Sequence, residues 1–407
     1  MITSITGSKS KVKKDNDDIA IITEGLQKIG ASARMNRNIN IGLDPRAKCV
    51  TIDVCHSGTA LRFLTAHAAA TPYAYVILTG SPRLGDRPIT HLIDSLRLMG
   101  ANIEYASADR HMPLSIKGTT LEGGGTNIPG NVTSQYISAL MLIAPLCKNS
   151  LKIHITSPLV STGYIHLTAK LLSDSGVRVA VSDHHIHVDN SRPSITKMAI
   201  ASGSEADWSA AVFWLAALAI MQSGITLSFH NLPLDSLQPD VQTITLFRLL
   251  GVSVTAGNRQ TTLACYDTHL DPPKRLDIDC SSTPDAIPAI VVAACLRQIP
   301  FTISGASTLP YKECDRASAL VDELAKCGYT IRFIDGDILT YDGSLQPDKF
   351  HDTPPISLSS HDDHRIAMAL ALINLRRPVV ITRPECVSKS YPDFWNQLDK
   401  LTSSIPH

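Results

Sequence analysis

Apolar and polar positions along the chain follow two periods, and the switch from one to the other recurs. An apolar stripe at helical spacing closes on a glycine; a short strand, a polar turn and a second strand follow. The first instance is Leu26-Gln27-Lys28-Ile29-Gly30-Ala31, and the second is Leu96-Arg97-Leu98-Met99-Gly100-Ala101. Three more end at Gly176, Gly251 and Gly328. These glycines are roughly 75 residues apart, and each is expected at the left-handed position that closes a helix. Ile103-Glu104-Tyr105 and Thr330-Ile331-Arg332-Phe333 read as the strands that follow. A second helix is expected in each repeat, starting near Thr59, Ser134, Asp207, Asp285 and His364. The unit is therefore α/β, with two helices and several strands. Five clear copies and a partial sixth divide into two lobes of three. Residues 8–205 form one lobe, its first repeat shortened; residues 206–407 with 1–7 form the other.

Composition narrows the class. A chain of 407 residues exceeds one ordinary core, and 44% hydrophobic content is that of a globular protein. Lys+Arg and Asp+Glu both number 37, so neither nucleic acid nor an anionic membrane is an expected partner. The runs Ala210–Met221 and Ala286–Leu296 are too short to span a bilayer. The first 18 residues lack the apolar core of a secretion signal. Nine scattered cysteines without a C-x-x-C pair read as reduced thiols, and a cytoplasmic monomer is expected.

Charge is concentrated where it matters. Of the chain's residues 18% are charged, yet Tyr311-Lys312-Glu313-Cys314-Asp315-Arg316 carries four charges in six positions, just before an apolar helical pattern. A helix start with lysine and arginine beside it suits an anionic ligand, because exposed N–H groups and cations attract the same charge. Arg87, Asp285, Arg365 and Lys389 stand at comparable places in other repeats. If the helices of both lobes aim their N-termini at one cleft, their partial charges add there, and a neutral chain holds a local anion site.

These motifs resemble, in order and spacing, the 5-enolpyruvylshikimate-3-phosphate synthase family (3-phosphoshikimate 1-carboxyvinyltransferases). The carriers are Ser57-Gly58-Thr59-Ala60-Leu61-Arg62, Leu78-Thr79-Gly80-Ser81-Pro82-Arg83 with Asp86-Arg87-Pro88-Ile89, and Thr133-Ser134-Gln135-Tyr136. Further carriers are Ser161-Thr162-Gly163-Tyr164, Pro284-Asp285-Ala286, Lys312 to Arg316, Asp363-His364-Arg365 and Lys389-Ser390-Tyr391-Pro392-Asp393. The resemblance implies the two-lobed enolpyruvyl transferase fold, each lobe three βαβαββ-type repeats with helix N-termini facing the interdomain cleft. It implies transfer of the enolpyruvyl group of phosphoenolpyruvate to the 5-hydroxyl of shikimate 3-phosphate, with release of phosphate and no metal or organic cofactor. Both partners are then small anionic molecules.

The same resemblance assigns roles. Lys9, Gly58, Arg87, Arg316, Arg365 and Lys389 bind phosphoenolpyruvate. Lys9, Ser10, Thr133, Ser134, Gln135, Ser161, Tyr164, Asp285 and Lys312 bind shikimate 3-phosphate. Asp285, Glu313 and Lys9 are catalytic: Asp285 accepts the hydroxyl proton and Glu313 handles the methylene proton. Read from spacing alone, Asp285 would cap the helix Ala286–Leu296, and Thr133 or Ser134 would cap the helical run that holds Ile137, Leu140, Met141 and Ile143.

The chain departs from the family pattern at its start. Gly7-Ser8-Lys9-Ser10 runs into Lys11-Val12-Lys13-Lys14-Asp15, with roughly a helix and a strand missing from a repeat of this length. His56 and Thr308 stand where asparagines are usual, and Glu205 to Ser209 follow the hinge-side pattern loosely. A non-catalytic homologue and a transferase acting on UDP-N-acetylglucosamine are the competing readings. His184, His185 and His187 with Asp183 and Asp189 fall in an expected hairpin whose alternation divides them between two faces, so no metal site is expected there.

Overall fold

The computed structural model describes residues 17–403 except 38, 41–43, 108–111, 192–204, 223, 259–260, 270–272 and 347–354. The chain divides into two compact units, Met1–Ser202 and Gly203–His407.

In the first unit, helix α1 (Asp17–Met35) precedes strand β1 (Val50–Asp53), helix α2 (Gly58–Ala69), β2 (Tyr75–Thr79), helix α3 (Thr90–Leu98), β3 (Asn102–Tyr105) and β4 (Leu114–Lys117). The strands form one sheet in the order β1-β2-β4-β3, with β1 and β2 parallel and the other pairs antiparallel. A crossover helix joins the parallel pair, as parallel pairing requires. The motif repeats in β5 (Gly124–Ile128), α4 (Ser134–Ile143), β6 (Leu151–Ile155), α5 (Thr162–Asp174), β7 (Val179–Val181) and β8 (His185–Val188), ordered β5-β6-β8-β7. Alternation builds the sheet wall: Leu151, Ile153 and Ile155 of β6 are buried, and Lys152 and His154 exposed. The core lies between these sheets and α2 and α4, whose inner faces supply Leu61, Leu64, Ile137 and Leu140.

The second unit opens with α6 (Trp208–Met221), then β9 (Thr226–His230), α7 (Thr243–Leu249), β10 (Val252–Ala256) and β11 (Thr261–Tyr266). A full copy follows: β12 (Leu276–Asp279), α8 (Ile287–Leu296), β13 (Phe301–Ser304), α9 (Arg316–Lys326), β14 (Tyr329–Ile334) and β15 (Ile338–Leu345), in the order β12-β13-β15-β14. The last copy holds β16 (Ile356–Ser359), α10 (His364–Ala371), the parallel partner β17 (Val379–Thr382) and α11 (Phe394–Ser403). Helices α6 and α8 are apolar on every side because every side is covered; Phe213, Leu215, Val291 and Val292 are fully buried.

Four of the five repeat glycines have the expected backbone: Gly100, Gly176, Gly251 and Gly328 take φ of 94°, 90°, 82° and 91°. Gly30 does not. Helix α1 runs through it to Met35, and no strand occurs between Met35 and β1 among the described residues. Side chains tie α1 down instead. Ser32 Oγ donates to Tyr75 O at 3.0 Å and accepts from Tyr75 N at 2.9 Å. Asn36 Nδ2 donates to Lys48 O at 2.8 Å and its Oδ1 accepts from Lys48 N at 2.7 Å. Asn36 is fully buried. Asn36→Ala is therefore expected to cost about 1–2 kcal/mol of stability, read from the urea midpoint.

The hairpin β7–β8 forms as expected, but the division of its histidines does not. His185 and His187 share the exposed face of β8, with Ile186 and Val188 turned inward, and His185 Nδ1 lies 3.3 Å from His154 Nδ1 of β6. A period of two puts residues two apart on one face.

Candidate active site

Three helix starts of the second unit meet in one ion-paired cluster. Arg316 is the first residue of α9; Asp315 before it caps the helix by accepting from Ser318 N at 3.0 Å. Asp363 caps α10, accepting from Arg365 N at 2.8 Å. Asp285 lies in the 3-10 turn Pro284–Ala286 leading into α8. The capping role expected for Asp285 is not what the structure shows. Ala286 is the N-cap of α8 without a side-chain cap bond, and the Asp285 carboxylate turns to cations instead.

Arg316, 1% exposed, is the centre. Its Nε donates to Asp363 Oδ2 at 2.7 Å, and Nη2 to Asp363 Oδ1 at 3.2 Å and Glu313 Oε2 at 2.9 Å. Nη1 donates to Asp285 Oδ1 at 2.8 Å. Lys312 Nζ reaches Asp285 at 3.1 Å, Arg365 Nη2 reaches it at 3.3 Å, and Lys389 Nζ reaches Glu313 at 2.9 Å. Four cations thus meet three carboxylates, and the surplus is positive. Burial alone would raise the Asp285 carboxyl, but Arg365, Lys312 and Arg316 outweigh it and hold it well below the carboxylate range. Burial likewise opposes the charge on Asp363, and Arg316 overrides it. Burial pushes His364 down to about 3, so its imidazole is neutral. The Cys314 thiol, 3.7 Å from Asp363 Oδ2, is pushed up by burial and by that carboxylate, as suits a packing residue rather than a nucleophile.

The turn before Asp363 is strained. His361 and Asp362 take φ of 51° and 57° in succession. The left-handed region costs non-glycine residues on the order of 1–3 kcal/mol each, less for polar types that tolerate it, and such strain persists where surrounding contacts impose it.

The first unit builds a second cationic cluster. Ser57 caps α2, accepting from Ala60 N at 3.0 Å, and Gly58 is the first helical residue. A Cβ at Gly58 would stand 2.6 Å from Arg87 Nη1 and 2.9 Å from Arg62 Nη1. Two guanidiniums therefore crowd a helix start, where the backbone already carries partial positive charge. Arg62, 3% exposed, donates to Gln135 Oε1 at 2.6 Å and lies 5.5 Å from the Tyr136 ring centre. Gln135 Nε2 donates to Thr59 Oγ1 at 3.1 Å, which sets the starts of α2 and α4 side by side. Thr133 is the α4 cap, accepting from Gln135 N at 3.3 Å, whereas Ser134 is the first helical residue and is buried. Ser161, in the left-handed region at φ 53°, precedes α5 and makes no cap bond; Tyr164 follows in the first turn. Thr168 Oγ1 donates to Ser138 Oγ at 2.9 Å, joining α5 to α4. Lys9 and Ser10 lie outside the described residues.

The family model for EPSP synthase (3-phosphoshikimate 1-carboxyvinyltransferase) matches residues 1–398. The chain belongs to the EPSP synthase family. A 3-phosphoshikimate 1-carboxyvinyltransferase of Bacteroides fragilis is 38% identical over 356 residues, 87% of this chain and 84% of that protein. That of Serratia proteamaculans is 31% identical over 404 residues, 95% of this chain and 89% of its own length. An EPSP synthase structure from Acinetobacter baumannii superposes with a TM-score of 0.68 at 21% identity, covering 98% of this chain and 92% of that one. The fold is thus the two-lobed enolpyruvyl transferase fold of the EPSP synthases.

Three buried charged residues in and around these clusters are not singled out by the sequence. Arg62 and Asp363 are visible only inside motifs, although Arg62, flanked by Leu61 and Phe63 in a buried helix, carries the signal of a partnered charge. Asp240 gave no local signal. It is 1% exposed and accepts a hydrogen bond from Ser209 Oγ. Burial pushes its carboxyl up to about 6 against the pull of Arg365. Thr308, in the asparagine position, is buried, and its hydroxyl has no hydrogen-bond partner among the described residues.

Proposed function

We infer that this chain transfers the enolpyruvyl group of phosphoenolpyruvate to the 5-hydroxyl of shikimate 3-phosphate and releases phosphate. Family membership supports the reaction. The observation that carries the residue roles is the cluster around Arg316, where four cations pair with Asp285 and Glu313 at three converging helix starts.

Both substrates are anions, and each cluster offers what anions require: guanidinium forks for carboxylate and phosphate, and helix starts for further negative charge. Phosphoenolpyruvate is assigned to Gly58, Arg87, Arg316, Arg365 and Lys389. Shikimate 3-phosphate is assigned to Thr133, Ser134, Gln135, Ser161, Tyr164, Lys312 and Asp285. Lys9 and Ser10 complete the sets by motif.

Asp285 takes the proton of the 5-hydroxyl as its oxygen bonds to C2 of phosphoenolpyruvate. Glu313, beside Lys389, enters this step protonated and gives its proton to C3, leaving a carboxylate and the tetrahedral adduct. The Glu313 carboxylate then takes a proton back from C3, phosphate leaves C2 and the double bond is restored. A carboxylate as firmly ion-paired as Asp285 is a weak base. Anions loading onto Arg365 and Lys312 withdraw that positive field, so Asp285 gains basicity as substrate arrives.

A coupled phosphate-release assay with both substrates tests the reading; folded protein that releases no phosphate refutes it. Gly58→Ala isolates the first-unit cluster. The added methyl displaces the Arg87 guanidinium, and the KM for phosphoenolpyruvate is expected to rise about tenfold, a loss of about 1.4 kcal/mol in binding, at unchanged thermal midpoint. A monomer acting in the cytoplasm completes this reading, and light scattering in solution checks the mass.

A further inference from the structure

Helix α9 carries a second buried charge two turns beyond Arg316. Glu323 is 2% exposed. Its Oε2 accepts from Ser359 N at 2.9 Å and from Lys326 Nζ at 2.6 Å, and its Oε1 lies 3.0 Å from His361 Nε2. It thereby grips both ends of the segment that enters the left-handed pair His361–Asp362. Other bonds hold the far side. Asp362 N donates to Ser360 Oγ at 3.3 Å, Asp362 pairs with Arg383, and Ser360 Oγ donates to Arg383 O at 3.2 Å. The next residues are Asp363, which holds Arg316, and Arg365, which pairs with Asp285.

The contacts close a ring: Arg316, along α9 to Glu323, across to His361, through the turn to Asp363, and back to Arg316. We propose that Glu323 is a positioning residue, which imposes the left-handed turn and so sets the aim of Asp363 and Arg365 relative to Arg316. Two successive non-glycine residues do not hold this conformation unaided. Without Glu323 the turn relaxes toward the extended region, and the side chains that follow it change direction. The proposal deepens the assignment of Arg365 to phosphoenolpyruvate and rests on it.

The test uses the full-length protein, with kcat, both KM values and the thermal midpoint measured for each variant. Glu323→Ala is expected to raise the KM for phosphoenolpyruvate about fivefold or more, with less effect on kcat. Glu323→Gln is expected to stay close to wild type, since an amide of the same size accepts from Ser359 N–H and keeps a polar group facing His361. The deciding variant adds His361→Gly and Asp362→Gly to Glu323→Ala. Glycine enters the left-handed region freely, so the KM should return to within about twofold of wild type while the thermal midpoint stays low. A lowered midpoint with unchanged KM in Glu323→Ala, or a KM that glycine does not restore, makes Glu323 structural only and overturns the proposal. Arg365→Ala, run beside these, separates the two levels. If it leaves the KM unchanged, the Arg365 assignment falls and the proposal with it; if it raises the KM while Glu323→Ala does not, the proposal falls alone.

Discussion

Asp285→Asn should lower phosphate release by about 10²–10⁴-fold while the protein stays folded and still binds both substrates. Asparagine keeps the shape of the side chain and its contacts with donors, but it cannot accept the hydroxyl proton. It also removes the negative charge that Lys312, Arg316 and Arg365 share. The freed positive field favours anions, so affinity for phosphoenolpyruvate should hold or rise. The expected signature is a split, with kcat lost and calorimetric binding retained. A variant within about tenfold of the wild-type kcat would remove Asp285 from the chemistry.

The second large effect is expected at Arg316. Arg316→Met fills a similar volume but leaves Asp285, Glu313 and Asp363 without their common partner, and Asp363 is fully buried. Stranding buried carboxylates costs about 3–5 kcal/mol, readable as a shift in the urea midpoint at pH 7. The pH dependence has a definite sign. Asp285 and Asp363 have folded-state values below the ordinary carboxylate range, so their contribution is present above about pH 4, where the unfolded groups are ionised too. It is lost as pH falls through the folded values. In Arg316→Met, Asp363 loses the guanidinium and burial raises it, while Asp285 keeps Arg365 and Lys312. The stability gap between wild type and variant should therefore be widest near neutrality and narrow below about pH 4. A gap independent of pH would mean that lost packing, not charge, accounts for the cost. Arg316→Lys keeps the charge but not the fork, and should fall between the two.

Much of this architecture could be read from the chain in one dimension. The apolar stripe and the closing glycine are local, because the left-handed cap depends on the few residues around it. That is why Gly100, Gly176, Gly251 and Gly328 conform. Gly30 shows where locality fails. A glycine within a helix costs only about 1 kcal/mol, and the contacts of Ser32 and Asn36 with Tyr75 and Lys48 carry α1 past it to Met35. The caps divided in the same way. Thr133 and Asp363 cap their helices as their residue type favours, but Asp285 was drawn off by Lys312, Arg316 and Arg365, which lie 27, 31 and 80 positions further along the chain.

The sequence by itself determined the repeat, the helix starts and the residue types a phosphorylated acid would meet, since period, capping and charge are properties of short stretches. Only the tertiary structure decided which charges pair. Arg316 is held by three carboxylates and Arg62 is turned to Gln135 because helices from successive repeats bring their starts together, and Glu323, two turns along α9, meets His361. Coulomb energy depends on separation in space and on burial, and neither is written in the spacing of residues along the chain.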